Sequence, residues 1–242
     1  MIEKEYCEFC KSNDNLTTFD NGSRYCFTPD CEFNKQKKNS KELIPKELIE
    51  GIYAPISNRR ISQRTCEVFN YMQGTYNGQT CHIATIFSDD KKPKAQQLRF
   101  PNKQFVMLGD TKDLGLVGKQ LWGSTGKSVV ITEGYIDMLS VAESQDCRWP
   151  VVTVPNGAQS AAKAIKRDIA WLMGYESVVL CFDNDEAGQK AIEDCVILFP
   201  PGKVKIAKLS DKDANDVLIK GKTKELTNIV FTAADYRPDG IV

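Results

Sequence analysis

Two apolar runs in this chain close on acidic residues. Ser128-Val129-Val130-Ile131-Thr132 runs into Glu133-Gly134, and Ser177-Val178-Val179-Leu180-Cys181-Phe182 runs into Asp183-Asn184-Asp185. Short β-branched runs bounded by turn residues read as buried strands of a parallel sheet. Open α/β sheets gather their chemistry at the carboxyl ends of such strands. Three carboxylates placed there would raise one another's pKa. A hard divalent ion such as Mg²⁺ resolves that conflict, because it takes oxygen ligands and bridges substrate phosphates. Acidic turn formers end many strands without any such role. Two ends carrying Glu-Gly and Asp-x-Asp point to metal-assisted chemistry instead.

A second constellation lies at the start. Cys7 and Cys10 form Cys-x₂-Cys, and Cys26 and Cys31 form Cys-x₄-Cys, with the turn formers Ser12-Asn13-Asp14-Asn15 and Asn21-Gly22-Ser23 between them. Two short knuckles joined by a hairpin are the grammar of a zinc ribbon with four thiolate ligands. About thirty residues cannot bury enough apolar surface to fold alone, so metal binding supplies the folding energy. The remaining cysteines, Cys66, Cys81, Cys147, Cys181 and Cys195, sit in apolar contexts and read as core fillers.

The 242 residues allow one sizeable domain and a small satellite. Lysine plus arginine equals aspartate plus glutamate at 32 each, so no global positive field attracts nucleic acid, and any such binding rests on local basic patches. The N-terminus carries no apolar signal region and no run is long enough to span a bilayer, which leads to an expectation of a soluble, cytosolic protein without membrane partners. Nine cysteines in that setting do not suggest disulfides.

The elements that would position the acidic residues follow a simple alternation. Residues 1–33 read as the ribbon and residues 34–50, with Lys35, Lys37 and Lys38, as a basic flexible linker that ends in a candidate helical piece at Lys46–Glu50. In residues 51–126 a helix is expected over Ile61–Phe69, capped at Ser62. Strands are expected over His82–Phe87 and Gln96–Phe100 around the polar turn Asp89–Pro93. His82, the single histidine, reads as a packed or hydrogen-bonded side chain. From residue 127 strands at 129–132, 149–154, 178–182 and 204–209 alternate with helices at 136–144, 161–171 and 186–198, which means βα crossovers and a largely parallel sheet. Gly123-Ser124-Thr125-Gly126-Lys127-Ser128 ends like a phosphate-binding loop. It has two residues between its glycines instead of four and precedes a strand, so it is not one.

Ile131-Thr132-Glu133-Gly134-Tyr135-Ile136-Asp137 and Phe182-Asp183-Asn184-Asp185-Glu186-Ala187-Gly188 resemble the two signature motifs of Toprim domains. With Leu121-Trp122, Asp146-Cys147, Asn156-Gly157-Ala158, Pro201-Gly202-Lys203-Val204, Lys212-Asp213-Ala214-Asn215 and Pro238-Asp239-Gly240, the chain resembles one branch most closely. That branch is the primase half of the bifunctional primase-helicases of T-odd podoviruses (autographiviruses), and the resemblance runs from the ribbon to the last residues.

This resemblance implies a Toprim-type, Rossmann-like parallel sheet over residues 127–242, an α+β subdomain over 51–126, and a zinc ribbon before them. It implies a DNA primase that makes short RNA primers from ribonucleoside triphosphates on single-stranded DNA during phage replication. The expected setting is the cytoplasm of the infected bacterial host. By position Glu133, Asp137, Asp183, Asp185 and Asp213 match the family's acidic active-site residues, with Asp216 a weaker candidate. Glu133, Asp183 and Asp185 would hold Mg²⁺ or Mn²⁺, and Arg99, Lys103 and Lys119 match basic positions near the nucleotide triphosphates. A helicase domain or replicative helicase and a phage DNA polymerase are the implied partners. The chain stops where relatives enter the linker to their helicase, so a fragment is expected.

Two departures from the family stand out. Neutral Gln97 occupies a position that is often basic, and Asn21 and Ser23 stand where relatives carry an acidic residue and a histidine linked to template choice. Arg24 and Tyr25 are an alternative pair for reading DNA. Two rival classes remain on the sequence alone. A Toprim nuclease would cut DNA with metal, and a zinc-bearing binding module would not need the full acidic set.

Overall fold

The structure, a computed structural model, describes residues 3–18, 24–34 and 47–237. The chain divides into two compact units, Met1–Lys46 and Glu47–Val242. Asn21 and Ser23, the linker lysines Lys35, Lys37 and Lys38, Lys46, and Pro238-Asp239-Gly240 lie outside the described residues.

In the first unit three short antiparallel strands, β1 (Glu3–Glu5), β2 (Leu16–Thr18) and β3 (Arg24–Cys26), form a sheet in the order β1-β2-β3. Its interior is little more than Cys7, Leu16, Cys26 and Cys31. So small an apolar core matches the expectation that a metal does the work of a core. Asn34, assigned by sequence to the linker, belongs to this unit. Its side chain accepts from Cys26 N at 3.0 Å and donates to Cys26 O at 2.6 Å.

The second unit opens with an antiparallel sheet, β4 (Tyr71–Tyr76), β5 (Gln79–Phe87), β6 (Pro93–Arg99) and β7 (Phe105–Gly109), in that order. Asn77 and Gly78, at φ +49° and +77°, make the two-residue turn that pairs Tyr76 with Gln79, the chemistry such hairpins require. Residues 47–50 form no helix. Gln96 clamps the Ile49 backbone, accepting from its N–H and donating to its carbonyl, both at 2.9 Å, while Leu48 and Ile49 pack under the sheet. The end of the expected linker is therefore fixed to this unit. Helix α1 (Gln63–Val68) starts at the cap Ser62 as expected.

Beyond it stands the α/β part. Its sheet has the order β12-β11-β10-β8-β9, from β8 (Gly126–Thr132), β9 (Val151–Thr153), β10 (Tyr175–Cys181), β11 (Val204–Ile206) and β12 (Ala234–Asp235). All pairs are parallel except β11 with β12. The helices are α2 (Tyr135–Ser144), α3 (Ala161–Arg167), α4 (Ile169–Met173), α5 (Glu186–Val196), α6 (Ala214–Ile219) and α7 (Thr223–Phe231). Side chains alternate across the strands. Val130, Val179 and Cys181 join the core under α2, α6 and α7, whereas Val129, Ile131, Val178 and Leu180 join the one under α3 and α5. Both faces are covered, which is why these strands read as unbroken apolar runs.

The single helix expected over 161–171 is two, α3 and α4, meeting at Asp168. That side chain is buried and turns away to accept from Leu116 N at 2.7 Å. The strand starting at Gly126 disposes of the apparent phosphate loop, whose last three residues lie inside β8. Among the described residues no helix is long and apolar enough to cross a membrane.

Candidate active site

Glu133 follows the last residue of β8, and Asp183 stands two residues beyond β10. Because Thr132 pairs with Cys181 in register, these carboxylates emerge from adjacent strand ends. Asp137 sits in the first turn of α2, whose amino end carries positive partial charge. Asp185 and Asp213 are the N-caps of α5 and α6, accepting from Gly188 N at 2.9 Å and Asp216 N at 2.7 Å. Gly188 is required where it stands, since a Cβ there would fall onto the Asp183 carbonyl.

Electrostatics set these carboxylates apart. Burial, then the charges of Asp213 and Asp183, push Asp137 up to about 8. Burial, then Glu133, Asp213 and Asp185, push Asp183 up to about 7. Glu133 is raised by burial and by Asp185, against the backbone N–H groups of Asp183 and Ala158 and the nearby Lys212. Its Oε2 is buried and makes no hydrogen bond among the described residues. Groups held this far from their ordinary range mark a site that expects a counter-charge. An all-oxygen donor set with an unpartnered carboxylate oxygen fits a hard divalent cation.

A cavity of about 390 Å³ opens over Glu133, Asp137 and Asp183, with Arg99 and Phe105 also on its walls. The Arg99 guanidinium lies 5.9 Å from the centre of the Phe105 ring. Gln97 lines the same cavity and donates to Pro155 O at 2.9 Å, so the neutral residue holds the loop after β9. Lys103 stands exposed in the β6–β7 turn at φ +64°, without an ion pair among the described residues. Lys119 is not among the residues lining this cavity. It lines a different cavity with Asp89 and Trp171, and its Nζ pairs with Asp89 at 2.6 Å and Asp168 at 2.7 Å. A carboxylate as buried as Asp168 needs such cations close by, and Arg167 supplies the second at 2.6 Å. Asp216 donates its N–H to the Asp213 carboxylate, and its charge, after the hydrogen bond and charge of Asp211, raises the pKa of Lys220.

Three residues of interest escaped the sequence reading. Lys212 bears on both Glu133 and Asp183, and its place beside Asp213 was the available signal. Asn215 is 1 % exposed and its N–H donates to Asp137 Oδ1 at 3.2 Å. Phe105 had no sequence signal, being one apolar residue in a short strand. His82 is half-buried with its ring 5.5 Å from Tyr71, so it is packed, with Nδ1 unbonded among the described residues.

In the ribbon the thiols of Cys7, Cys10, Cys26 and Cys31 lie within 4.8 Å of one another, the one set of three or more potential ligand residues so close among the described residues. Cys7 and Cys31 are 3.6 Å apart and Cys10 and Cys26 3.5 Å. Thiolates tetrahedrally placed about 2.3 Å from a zinc ion stand about 3.8 Å apart, so the cluster fits that metal. Cys66, Cys81, Cys181 and Cys195 are buried core residues as expected, and Cys147 is half-buried beside Thr65.

Comparison with known proteins adds a lineage to this geometry. A family described as Toprim-like matches residues 130–218, and one described as the N-terminal α+β fold of the bacteriophage T7 DNA helicase/primase matches 51–109. The DNA helicase/primase of Enterobacteria phage T3 is 31% identical over 98% of this chain, and the chain spans 44% of that relative. The crystal structure of the primase fragment of the bacteriophage T7 primase-helicase is 32% identical. It superposes with a TM-score of 0.74 over 94% of this chain and 98% of the fragment. A second T7 structure, of primase domains of two gp4 subunits bound to an RNA/DNA hybrid and dTTP and interacting with the lagging-strand DNA polymerase, is 37% identical over 77% of this chain and 94% of that one, with a TM-score of 0.72. The zinc-binding and RNA polymerase domains of Aquifex aeolicus primase share only the fold, at 14% identity and a TM-score of 0.55, covering 74% of this chain and 55% of that one. The chain belongs to the family of the primase portion of T7-type phage helicase/primases.

Proposed function

We propose that this chain is a DNA primase, a nucleotidyltransferase that makes short RNA primers from ribonucleoside triphosphates on single-stranded DNA in phage replication. The observation that carries this reading is the joining of raised carboxylates at the end of β8, in the first turn of α2 and at the end of β10 with Arg99 in one cavity. It sits in a chain that matches nearly all of the T7 primase fragment.

Glu133, Asp183 and Asp185 would hold Mg²⁺ or Mn²⁺, with Asp137 and Asp213 beside them. The bound ion supplies charge neutralisation for the triphosphate and helps orient the attacking 3′-hydroxyl. Arg99 lies on the wall of the same cavity, where its cation stabilises negative charge that grows as pyrophosphate departs. Lys103 extends that positive edge from the neighbouring turn, and Lys212 balances the carboxylates from the other side. Lys119, also matched by position to a nucleotide contact, is paired with Asp168 and Asp89 in the chain without nucleotide.

Cys7, Cys10, Cys26 and Cys31 would bind one structural zinc. Single-stranded DNA template, a helicase domain or replicative helicase, and the phage DNA polymerase are the proposed partners. The T3 relative, a helicase/primase, and the T7 primase domains seen with the lagging-strand DNA polymerase support the last two. The cytoplasm of the infected bacterium is the proposed location.

Short single-stranded templates, Mg²⁺ and labelled ribonucleotides test the reading directly. RNA oligomers are the expected product. Cut DNA with no RNA would mean a nuclease, and binding without chemistry would mean a DNA-binding module.

A further inference from the structure

We propose that Phe105 is the surface on which the base of a ribonucleoside triphosphate stacks when its phosphates occupy the acidic cavity. This assignment rests on the primase reading and names the part of the site that receives the base. It starts from an exposed ring. Phe105 is 55 % exposed, yet it lines the cavity that holds Glu133 and Asp183.

The strand itself aims that ring. Side chains alternate along β7, and Val106 and Leu108 enter the apolar cluster under the antiparallel sheet. Met107, on the other face, packs against the larger core, and Phe105 shares its face but belongs to no packed cluster. Folding thus gains little from this ring, which leaves it available to a ligand.

Three further observations say what would cover it. Arg99 is the cross-strand partner of Phe105, and its guanidinium lies 5.9 Å from the ring centre. The cation thus lies over one face of a ring that is still half-exposed, and a cation on an aromatic platform is the pairing that suits a base joined to phosphates. Within the same cavity Glu133 Oε2 and the Tyr135 hydroxyl are buried and make no hydrogen bond among the described residues, so the cavity is completed by a polar occupant. Gly157, also on its wall, has nothing within 4 Å of where a Cβ would stand, which leaves open room on that side. Stacking on a ring tolerates every base, so Phe105 adds affinity without choosing among nucleotides.

The test is equilibrium binding of ATP, CTP and inorganic tripolyphosphate to the full chain in Mg²⁺ without template. Phe105→Ala is expected to weaken ATP and CTP by about tenfold and to leave tripolyphosphate within about twofold. Phe105→Tyr is expected to restore both nucleotides. Phe105→Leu keeps apolar bulk without a flat ring and is expected to behave like Phe105→Ala, so a folding defect in one variant does not shelter the idea. Equal weakening of all three ligands would overturn it, because Phe105 would then act only by holding Arg99. Unchanged nucleotide binding in Phe105→Ala and Phe105→Leu would also overturn it. An unsubstituted chain that binds none of the three ligands would remove the primase reading itself, and this proposal with it.

Discussion

The backbone N–H of Asn215 donates to Asp137 Oδ1 at 3.2 Å, fastening the start of α6 to the first turn of α2. The Asn215 side chain then reaches α2 a second time and also the segment before α1. Its amide donates to Ser140 Oγ at 2.9 Å and to Arg59 O at 3.0 Å, and its oxygen accepts from Arg59 at 2.9 Å. One buried amide therefore joins the segment before α1 to both helices that carry Asp137 and Asp213. A second joint runs parallel to it. Glu143, on α2, accepts from Ser62 N at 3.0 Å and from the Ser62 and Thr65 hydroxyls at the start of α1.

Truncating this amide leaves buried donors and acceptors without partners. Asn215→Ala is expected to destabilise the chain by roughly 2–4 kcal/mol, since each orphaned group costs about 1–3 kcal/mol. Urea unfolding with an unchanged slope and a lower midpoint is the measurement. Primer synthesis should fall as well, even at temperatures where the variant is folded, because the start of α6 loses its side-chain ties to Ser140 and Arg59 and is held to α2 here by the backbone N–H to Asp137 without them. A midpoint within experimental error of the unsubstituted chain would show the network to be idle.

A pH dependence follows from the raised carboxylates. Asp137 is held at about 8 in the folded chain, above the ordinary carboxylate range of the unfolded one. Its contribution to stability is thus fully present below about pH 4 and is lost as pH rises toward 8. In EDTA, Asp137→Asn should match the unsubstituted chain near pH 4. It should become progressively more stable than it on the way to pH 8, by at most about 1.4 kcal/mol per pH unit. Adding Mg²⁺ should stabilise the unsubstituted chain more than the variant at pH 8. A variant whose advantage does not grow with pH would show that Asp137 ionises freely in the fold.

The parallel sheet and its acidic rim were legible because burial on both faces writes continuous β-branched runs, and because strand ends are where such sheets keep polar groups. The four cysteines were legible for a related reason, as metal ligation imposes spacing directly. What escaped depended on packing between distant segments. The ion pair of Lys119 with the buried Asp168, far along the chain, had no local signal. That same carboxylate breaks the expected 161–171 helix in two. Residues 47–50 looked helical by local spacing, and Gln96, on a strand, holds them extended. Strand β4 was missed although Asn77-Gly78 is a strong hairpin signal.

Removing the acidic groups should separate chemistry from folding. Glu133→Ala and Asp183→Ala are expected to abolish primer synthesis while stability in EDTA is equal or higher, as like-charge repulsion is relieved. Unfolding curves and labelled-ribonucleotide assays on the same preparations check both halves. Full activity of both variants in Mg²⁺ would place the catalytic ion elsewhere.

Gly188 offers a test of how closely α5 must approach the end of β10. A Cβ at this position meets the Asp183 carbonyl, so Gly188→Ala must shift backbone that carries an active-site carboxylate. The Asp185 cap, which accepts from Gly188 N, is disturbed in the same step. Weaker Mn²⁺ binding by about tenfold or more is expected in a titration followed by electron paramagnetic resonance, with a lower melting temperature. Mn²⁺ affinity equal to that of the unsubstituted chain would mean that neither Asp183 nor Asp185 is needed for the ion.

The ribbon makes the last case, because its metal and its purpose can be read independently. Cys26 is buried, and its thiol lies 3.5 Å from that of Cys10 in a unit with almost no other core. Cys26→Ser should lower zinc content by metal analysis from about one ion per chain to well below half, since a hydroxyl is a poor ligand beside three thiolates. Nucleotide and Mn²⁺ binding should be unaffected, because the acidic cavity is built wholly from residues 47–242. Template choice is where loss should appear. A chain with zero net charge has no general grip on single-stranded DNA, so specific starts on a template need a local reader. The zinc-depleted variant should therefore lose its preferred start sites on mixed-sequence templates while still joining nucleotides. If it retained zinc, the ligand assignment would fail. If it lost zinc and still started primers at the same sites, template reading would belong to the catalytic unit, and the ribbon would be a structural accessory.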